Sequence, residues 1–107
     1  MVESTIIAIV QRYLAALPRL GIHARRAVLF GSFARGNPNE WSDIDLIVIA
    51  PEFDVVQTID FCKLLWQATA DADDRIEPIP CGEREWETDT GRPILEIAHR
   101  EGIVIAA

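Results

Sequence analysis

The chain has 107 residues, half of them apolar and a quarter charged, the balance of an ordinary soluble globular protein. That length fits a single domain over residues 1–107, able to bury about two-thirds of its unfolded surface. The formal charge of −7 argues against a broad nucleic-acid surface, and no apolar run approaches the roughly 20 residues a membrane span needs.

The opening Met1-Val2-Glu3-Ser4 lacks the basic start of a secretory signal, so a cytoplasmic location is expected. Cys62 and Cys81 form no CxxC or zinc-ligand spacing and are expected as unpaired thiols, Cys62 as core filling in a helix. Residues 5–20 place Ile6, Val10, Tyr13, Leu14, Leu17 and Leu20 at spacings of three and four, which predicts an amphipathic helix. Ser4 or Thr5 is available to cap its start, Pro18 to kink or end it near Leu17, and Gly21 to close it.

Ala27-Val28-Leu29-Phe30 reads as a short buried strand running straight into Gly31-Ser32. Residues 32–36 read as a helical turn, and Gly36-Asn37-Pro38-Asn39 as a loop. The next strand, about 43–50, puts Ile44, Leu46 and Val48 on one face and Asp43, Asp45, Ile47 and Ile49 on the other. Both faces are apolar at its far end, so helices are expected on both sides of the sheet there. Polar character is confined to its start, where a site is expected.

Asp54 followed by Gln57 resembles a capping box opening a helix over residues 55–70, with Val55, Ile59, Cys62, Trp66 and Thr69 along one face. Asp71, Asp73 and Asp74 belong in the exit loop, because a helix C-terminus disfavours anions. Residues 75–79 predict a third strand that Pro78 marks as an edge or ends early. The run Glu83-Arg84-Glu85-Trp86-Glu87 reads as a solvated helix with Trp86 packed inward or against a partner. Pro93 suits the first turn of a last helix over 93–101, ending in His99 and Arg100 with Gly102 beyond; Ile103-Val104-Ile105 closes the chain as a strand.

Chemistry concentrates between residues 31 and 48. Gly31 lets the backbone turn sharply and come close to a ligand. The N–H groups of the following turn, with the Ser32 hydroxyl, are donors suited to phosphate oxygens. The same residues also suit a plain strand-to-helix turn with Ser32 as cap. No GxxxxGK[ST] is present and the only lysine, Lys63, sits in a predicted helix, so a P-loop is excluded. Asp43 and Asp45, two apart on a strand, share a face about 7 Å apart at the backbone. Either they are a solvated acidic strand end, or a cation sits between them; Mg²⁺ with a nucleoside triphosphate is the natural candidate.

The pattern Gly-Ser-x-Ala-Arg-Gly, a short loop, then Ser-Asp-x-Asp-Leu-x-Val resembles the signature of the polymerase-β-type nucleotidyltransferase superfamily. Within it the chain looks most like the minimal nucleotidyltransferases (MNT). The resemblance implies an α/β (α+β) fold, a small mixed β-sheet flanked by helices. It implies Asp43 and Asp45 as ligands of one or two Mg²⁺ ions, with Gly31 and Ser32 holding the triphosphate. A third carboxylate from a neighbouring strand completes such sites, and Glu77 is the choice here, as metal ligand and catalytic residue. The commoner residue there is Asp. A surface acid or a partner of Arg75 is the other reading of Glu77, and Asp73 or Asp74 is the fallback ligand.

Arg35 either stabilises phosphate charge and orients the acceptor, or braces the loop through Asp43 or Glu40. Ser42 is a nucleotide-binding candidate that suits capping or bracing the strand entrance better. Trp41 flanks a base or, more in keeping with its loop, anchors it. His23 and His99 lack partners at metal spacing and read as surface residues.

The activity implied is metal-dependent transfer of a nucleoside monophosphate, AMP from ATP, onto a hydroxyl of a partner macromolecule. No second domain for an acceptor is legible, so the acceptor is expected to be another molecule, with nucleic acid disfavoured as sole substrate. The MNT resemblance implies an all-helical HEPN-type partner, the pair forming a toxin–antitoxin system in which a toxin tyrosine is adenylylated. The rival reading is a catalytically weak or inactive MNT-fold binding module that neutralises its partner by covering it. A homo-oligomer and a subunit of a larger transferase also remain open.

Overall fold

The computed structural model describes residues 3–55, 59–88 and 91–107. Helix α1 (Ser4–Ala16) is followed by a 3-10 turn at Pro18–Leu20, which Gly21 closes at φ 82°. The proline therefore ends the regular helix where expected, since it removes a hydrogen bond and crowds the preceding turn. Neither Ser4 nor Thr5 caps α1. Glu3 stands at the N-cap position without a capping side-chain bond, and Thr5 Oγ1 donates to Glu3 Oε2.

Four strands follow: β1 (Arg26–Phe30), β2 (Ile44–Ile49), β3 (Ile76–Cys81) and β4 (Ile103–Ala106), in the spatial order β3-β2-β1-β4. β1 runs antiparallel to both β2 and β4, whereas β3 lies parallel to β2. The sheet is mixed, as expected. β3 is an edge strand, and the Ile44 N–H bond to Arg75 O and the Ala50 N–H bond to Cys81 O fix which of its residues face β2. By that alternation Pro78 and Pro80 turn their missing N–H groups outward, where they cost no ladder bond and blunt the edge.

Helices cover both faces. On one side α1 and α4 (Ile59–Ala68) pack on Ala27, Leu29, Ile44, Leu46 and Val48. On the other, α5 (Glu83–Thr88) and α6 (Pro93–Glu101) pack Trp86, Leu95 and Ala98 on Val28, Phe30, Ile47 and Ile49. Alternation therefore places Asp45 and Glu77 on the α6 side, in line with Ile47 and Ile79.

Of the helix expected over 55–70 two stretches are described, and helical structure begins earlier than expected, at Glu52. A short α3 (Glu52–Val55) contains Asp54, α4 begins at Ile59, and Gln57 lies outside the described residues. The Asp54 carboxylate caps another helix: it accepts the N–H groups of Arg84 at 3.0 Å and Glu85 at 3.4 Å, at the start of α5. The expected buried stripe is also corrected. Val55 is 84% and Trp66 50% exposed, while Leu65 and Ala68 are buried with Phe61 and Leu64 against the core. Two apolar stripes run along this segment, and periodicity cannot choose between them. Packing against α1 does, and the buried Tyr13 hydroxyl donates to Leu65 O at 2.7 Å. Thr69 is buried as expected, Ile59's side chain is outside the described set, and Cys62 is only partly buried. Both cysteines are free.

Candidate active site

β1 ends at Phe30, whose register partner is Asp45, so the chain leaves the sheet level with that carboxylate. Gly31 makes the exit with φ 78°, a conformation that L side chains rarely adopt. Space demands glycine as well, because a Cβ here would overlap Asp45 Oδ2. Helix α2 (Ser32–Arg35) follows as one turn, with Gly31 O accepting the N–H groups of Ala34 and Arg35 and Gly36 ending it at φ 79°. Ser32 is half-buried at its first position, and among the described residues its hydroxyl has no hydrogen-bond partner.

Across the β2–β3 pair, Asp45 and Glu77 are direct register partners, and Asp43 reaches the same place from just before β2. Loss of hydration raises the Asp45 pKa above its ordinary value, and the charge of Asp43 adds to this. A hydrogen bond from Glu77 and the charge of Arg35 act the other way. Glu77 is raised by loss of hydration, then by the charge of Asp43 and by hydrogen bonds and charge from Asp45 and Asp43. Asp45 and Glu77 are thus coupled, each pushed towards its neutral form by lost hydration and by neighbouring negative charge. Three carboxylates expected from separate stretches of sequence are brought together.

Arg75 is not a partner of Glu77. Its guanidinium grips Asp73 at 2.7 and 3.0 Å, its N–H adds a bond of 2.8 Å, and Asp73 is held below the usual carboxylate range. This engages the fallback ligand Asp73 elsewhere. Arg35 braces neither Asp43 nor Glu40 by an ion pair; Nη1 lies 3.7 Å from Glu101 Oε2 at the end of α6, while its charge reaches Asp45. No sequence signal joined Arg35 to Glu101, since the contact exists only once α6 is laid on the sheet.

The loop between α2 and β2 is pinned by its polar residues. Asn39 N–H donates to Ser42 Oγ at 2.9 Å, Ser42 N–H returns a bond to Asn39 O at 3.1 Å, and Trp41 N–H donates to Asn39 Oδ1 at 2.8 Å. Ser42 therefore braces the strand entrance. Trp41 is 83% exposed, so the expectation that it anchors the loop is overturned: side-chain caps hold the turn and free the indole. His99 is exposed, as expected, and its ring stacks on Trp86 at 3.6 Å with Nε2 2.8 Å from Trp86 O. Exposed His23 pairs with Glu52 at 2.9 Å.

Hard carboxylate oxygens grouped beside unpartnered donors suit a divalent cation such as Mg²⁺, which takes one or two carboxylates and completes its shell with water and phosphate. Among the described residues, no group of three or more His, Cys, Asp or Glu side chains is placed to hold a metal ion. The chemistry of the donors, and not a preformed site, is what suits a divalent cation. No described helix is long and apolar enough to cross a membrane.

Comparison with known proteins gives a family and a fold. The nucleotidyltransferase domain model matches residues 10–90. No curated protein matches. Among solved structures, a Sulfolobus solfataricus protein provisionally designated a nucleotidyltransferase is similar in fold, with TM-score 0.60 and 17% identity over 94% of this chain and 75% of that one.

Proposed function

The chain belongs to the nucleotidyltransferase domain family, and from that premise we propose that it transfers a nucleoside monophosphate, AMP from ATP, onto a hydroxyl of a partner macromolecule. The observation that carries this reading is the meeting of Asp45 with Gly31 on one side and Glu77 on the other, with Asp43 beside them. Asp43, Asp45 and Glu77 would hold Mg²⁺, which supplies charge neutralisation for the attacking oxygen and the departing pyrophosphate. The unpartnered Ser32 hydroxyl and Arg35 lie next along the chain as donors for phosphate oxygens.

In this reaction an acceptor oxygen forms a bond to the α-phosphorus, the bond from that phosphorus to the bridging oxygen breaks, and pyrophosphate leaves. Glu77, held in a protonation-sensitive pair with Asp45, assists removal of the acceptor proton. Positioning and electrostatics carry most catalysis in such transfers. The resemblance of the 31–48 pattern to the MNT half of HEPN/MNT pairs supports a protein acceptor, a tyrosine of an all-helical HEPN-type partner, with this chain in the antitoxin role. The net charge of −7 favours that over a nucleic acid.

The decisive experiment measures thermal stability with Mg²⁺ and ATP. At about 100 times the dissociation constant a ligand adds roughly 2.7 kcal/mol, so Tm rises for wild type and not for Asp43→Asn with Asp45→Asn. A one-nucleotide mass gain on a co-purified partner then identifies the acceptor. No Mg²⁺-dependent shift in wild type replaces this reading with the inactive binding module.

A further inference from the structure

The Arg35–Glu101 pair ties the last helix to the carboxylate site. We infer that Glu101 is a positioning residue: it holds the Arg35 guanidinium at the mouth of the site, ready for the phosphates of a nucleoside triphosphate. This rests on the transferase reading above and deepens it. Neither residue's role follows from its own element.

Glu101 is the last residue of α6, where the helix dipole disfavours an acid. The compensating charge comes from Arg35, 3.7 Å away. Sheet pairing places the two side by side. Ile103, two residues beyond Glu101, pairs with Leu29, two residues before Gly31. The end of α6 is also fixed in place. Gly102 N–H donates to Ala98 O at 2.8 Å, and a Cβ on Gly102 would run into Val28 Cγ1 and Ala98 O. Glu101 is thus presented from a rigid anchor on β1, whereas Arg35 projects from a single helical turn.

The pair is loose enough to work as a guide. At 3.7 Å it is an ion pair without a hydrogen bond, with side chains 50% and 35% exposed, so the five N–H donors of Arg35 remain available. Meanwhile the cation is close enough for its charge to oppose, in small part, the upward shift of Asp45 that lost hydration causes. A flexible arginine already confined near its ligand loses less freedom on binding, which is how Glu101 raises affinity without touching the ligand.

The test uses inorganic triphosphate with Mg²⁺ as the probe, titrated calorimetrically into wild type, Glu101→Gln, Arg35→Gln and the double variant. Glu101→Gln is expected to weaken binding about three-fold or more, Arg35→Gln more strongly, and the double variant no further than Arg35→Gln. Because an exposed ion pair contributes little to stability, Tm of Glu101→Gln stays within about 4 °C of wild type. Unchanged binding by Glu101→Gln, or an equal loss when Arg35 is already replaced, overturns the role of Glu101 and leaves the transferase reading standing. Failure of wild type itself to bind Mg²⁺-triphosphate overturns both.

Discussion

Asp45 Oδ2 occupies the space that a side chain on residue 31 would need. The turn that ends β1 and the carboxylate on β2 are therefore a single unit, and the positive φ of Gly31 makes the requirement doubly strict. Gly31→Ala is expected to cost about 1–3 kcal/mol through backbone strain, and to displace Asp45. Thermal melts should show Tm lower by about 4 °C or more, and Mg²⁺-nucleotide stabilisation should disappear. A variant with wild-type Tm and wild-type stabilisation would show that the turn and the carboxylate are independent.

Asp43→Asn with Asp45→Asn keeps side-chain size while removing two negative charges and exchanging one acceptor oxygen of each for an NH2 donor. Transfer of labelled nucleotide to a partner should fall by about 10²-fold or more, because the charges that would hold the divalent cation and neutralise the transition state are gone. The folded protein should persist, with circular dichroism like that of wild type. Retained transfer in this variant places the chemistry elsewhere.

The carboxylate cluster also sets a pH dependence. Asp45 and Glu77 have folded pKa values raised above their ordinary 3.8 and 4.5, so the native state holds protons that the unfolded chain releases. Their contribution to stability is present below those ordinary values and is lost as pH rises through the raised folded ones. Glu77→Gln should therefore raise Tm at pH 7.5 without divalent cations, by about 1–4 °C, with little gain near pH 4. Mg²⁺ should stabilise wild type more at pH 7.5 than at pH 4.5, since protons compete for the same oxygens. A destabilised Glu77→Gln at pH 7.5 contradicts the repulsion.

Asp54 makes a separate prediction, away from the catalytic end. Its carboxylate accepts the Arg84 and Glu85 N–H groups, and Gly82 N–H donates to Glu85 Oε1 at 3.3 Å, completing a reciprocal cap on α5. Asp54→Ala should cost about 0.5–2 kcal/mol, the usual size of a lost cap. Denaturant midpoints should fall accordingly while Mg²⁺-nucleotide affinity stays as in wild type. A loss of affinity without a loss of stability would assign Asp54 to the site instead.

Much of this was legible in the chain because it is local. The Pro18 stop, the glycine turn at Gly31, the alternation of β2 and the Pro93 start of α6 each depend on a few neighbouring residues, and each stands where its pattern put it. The exposed faces of Val55 and Trp66 were not legible, for an apolar stripe states only that something apolar can pack there. Trp41 failed similarly: its loop is held by Asn39 and Ser42, and nothing in its own identity revealed an exposed indole.

By itself the sequence determined the short buried β1, the bend at Gly31-Ser32 and the alternation that sets Asp45 in line with Ile47 and Ile49, since backbone sterics and strand alternation act within one segment. Tertiary structure alone decided that Glu77 stands opposite Asp45, that Arg35 answers to Glu101, and that Asp54 serves α5 rather than its own helix. The physical reason is that register and helix docking are set by burying two apolar layers against one sheet. Which charges then meet at its edges follows from that packing, and no short stretch of chain encodes it.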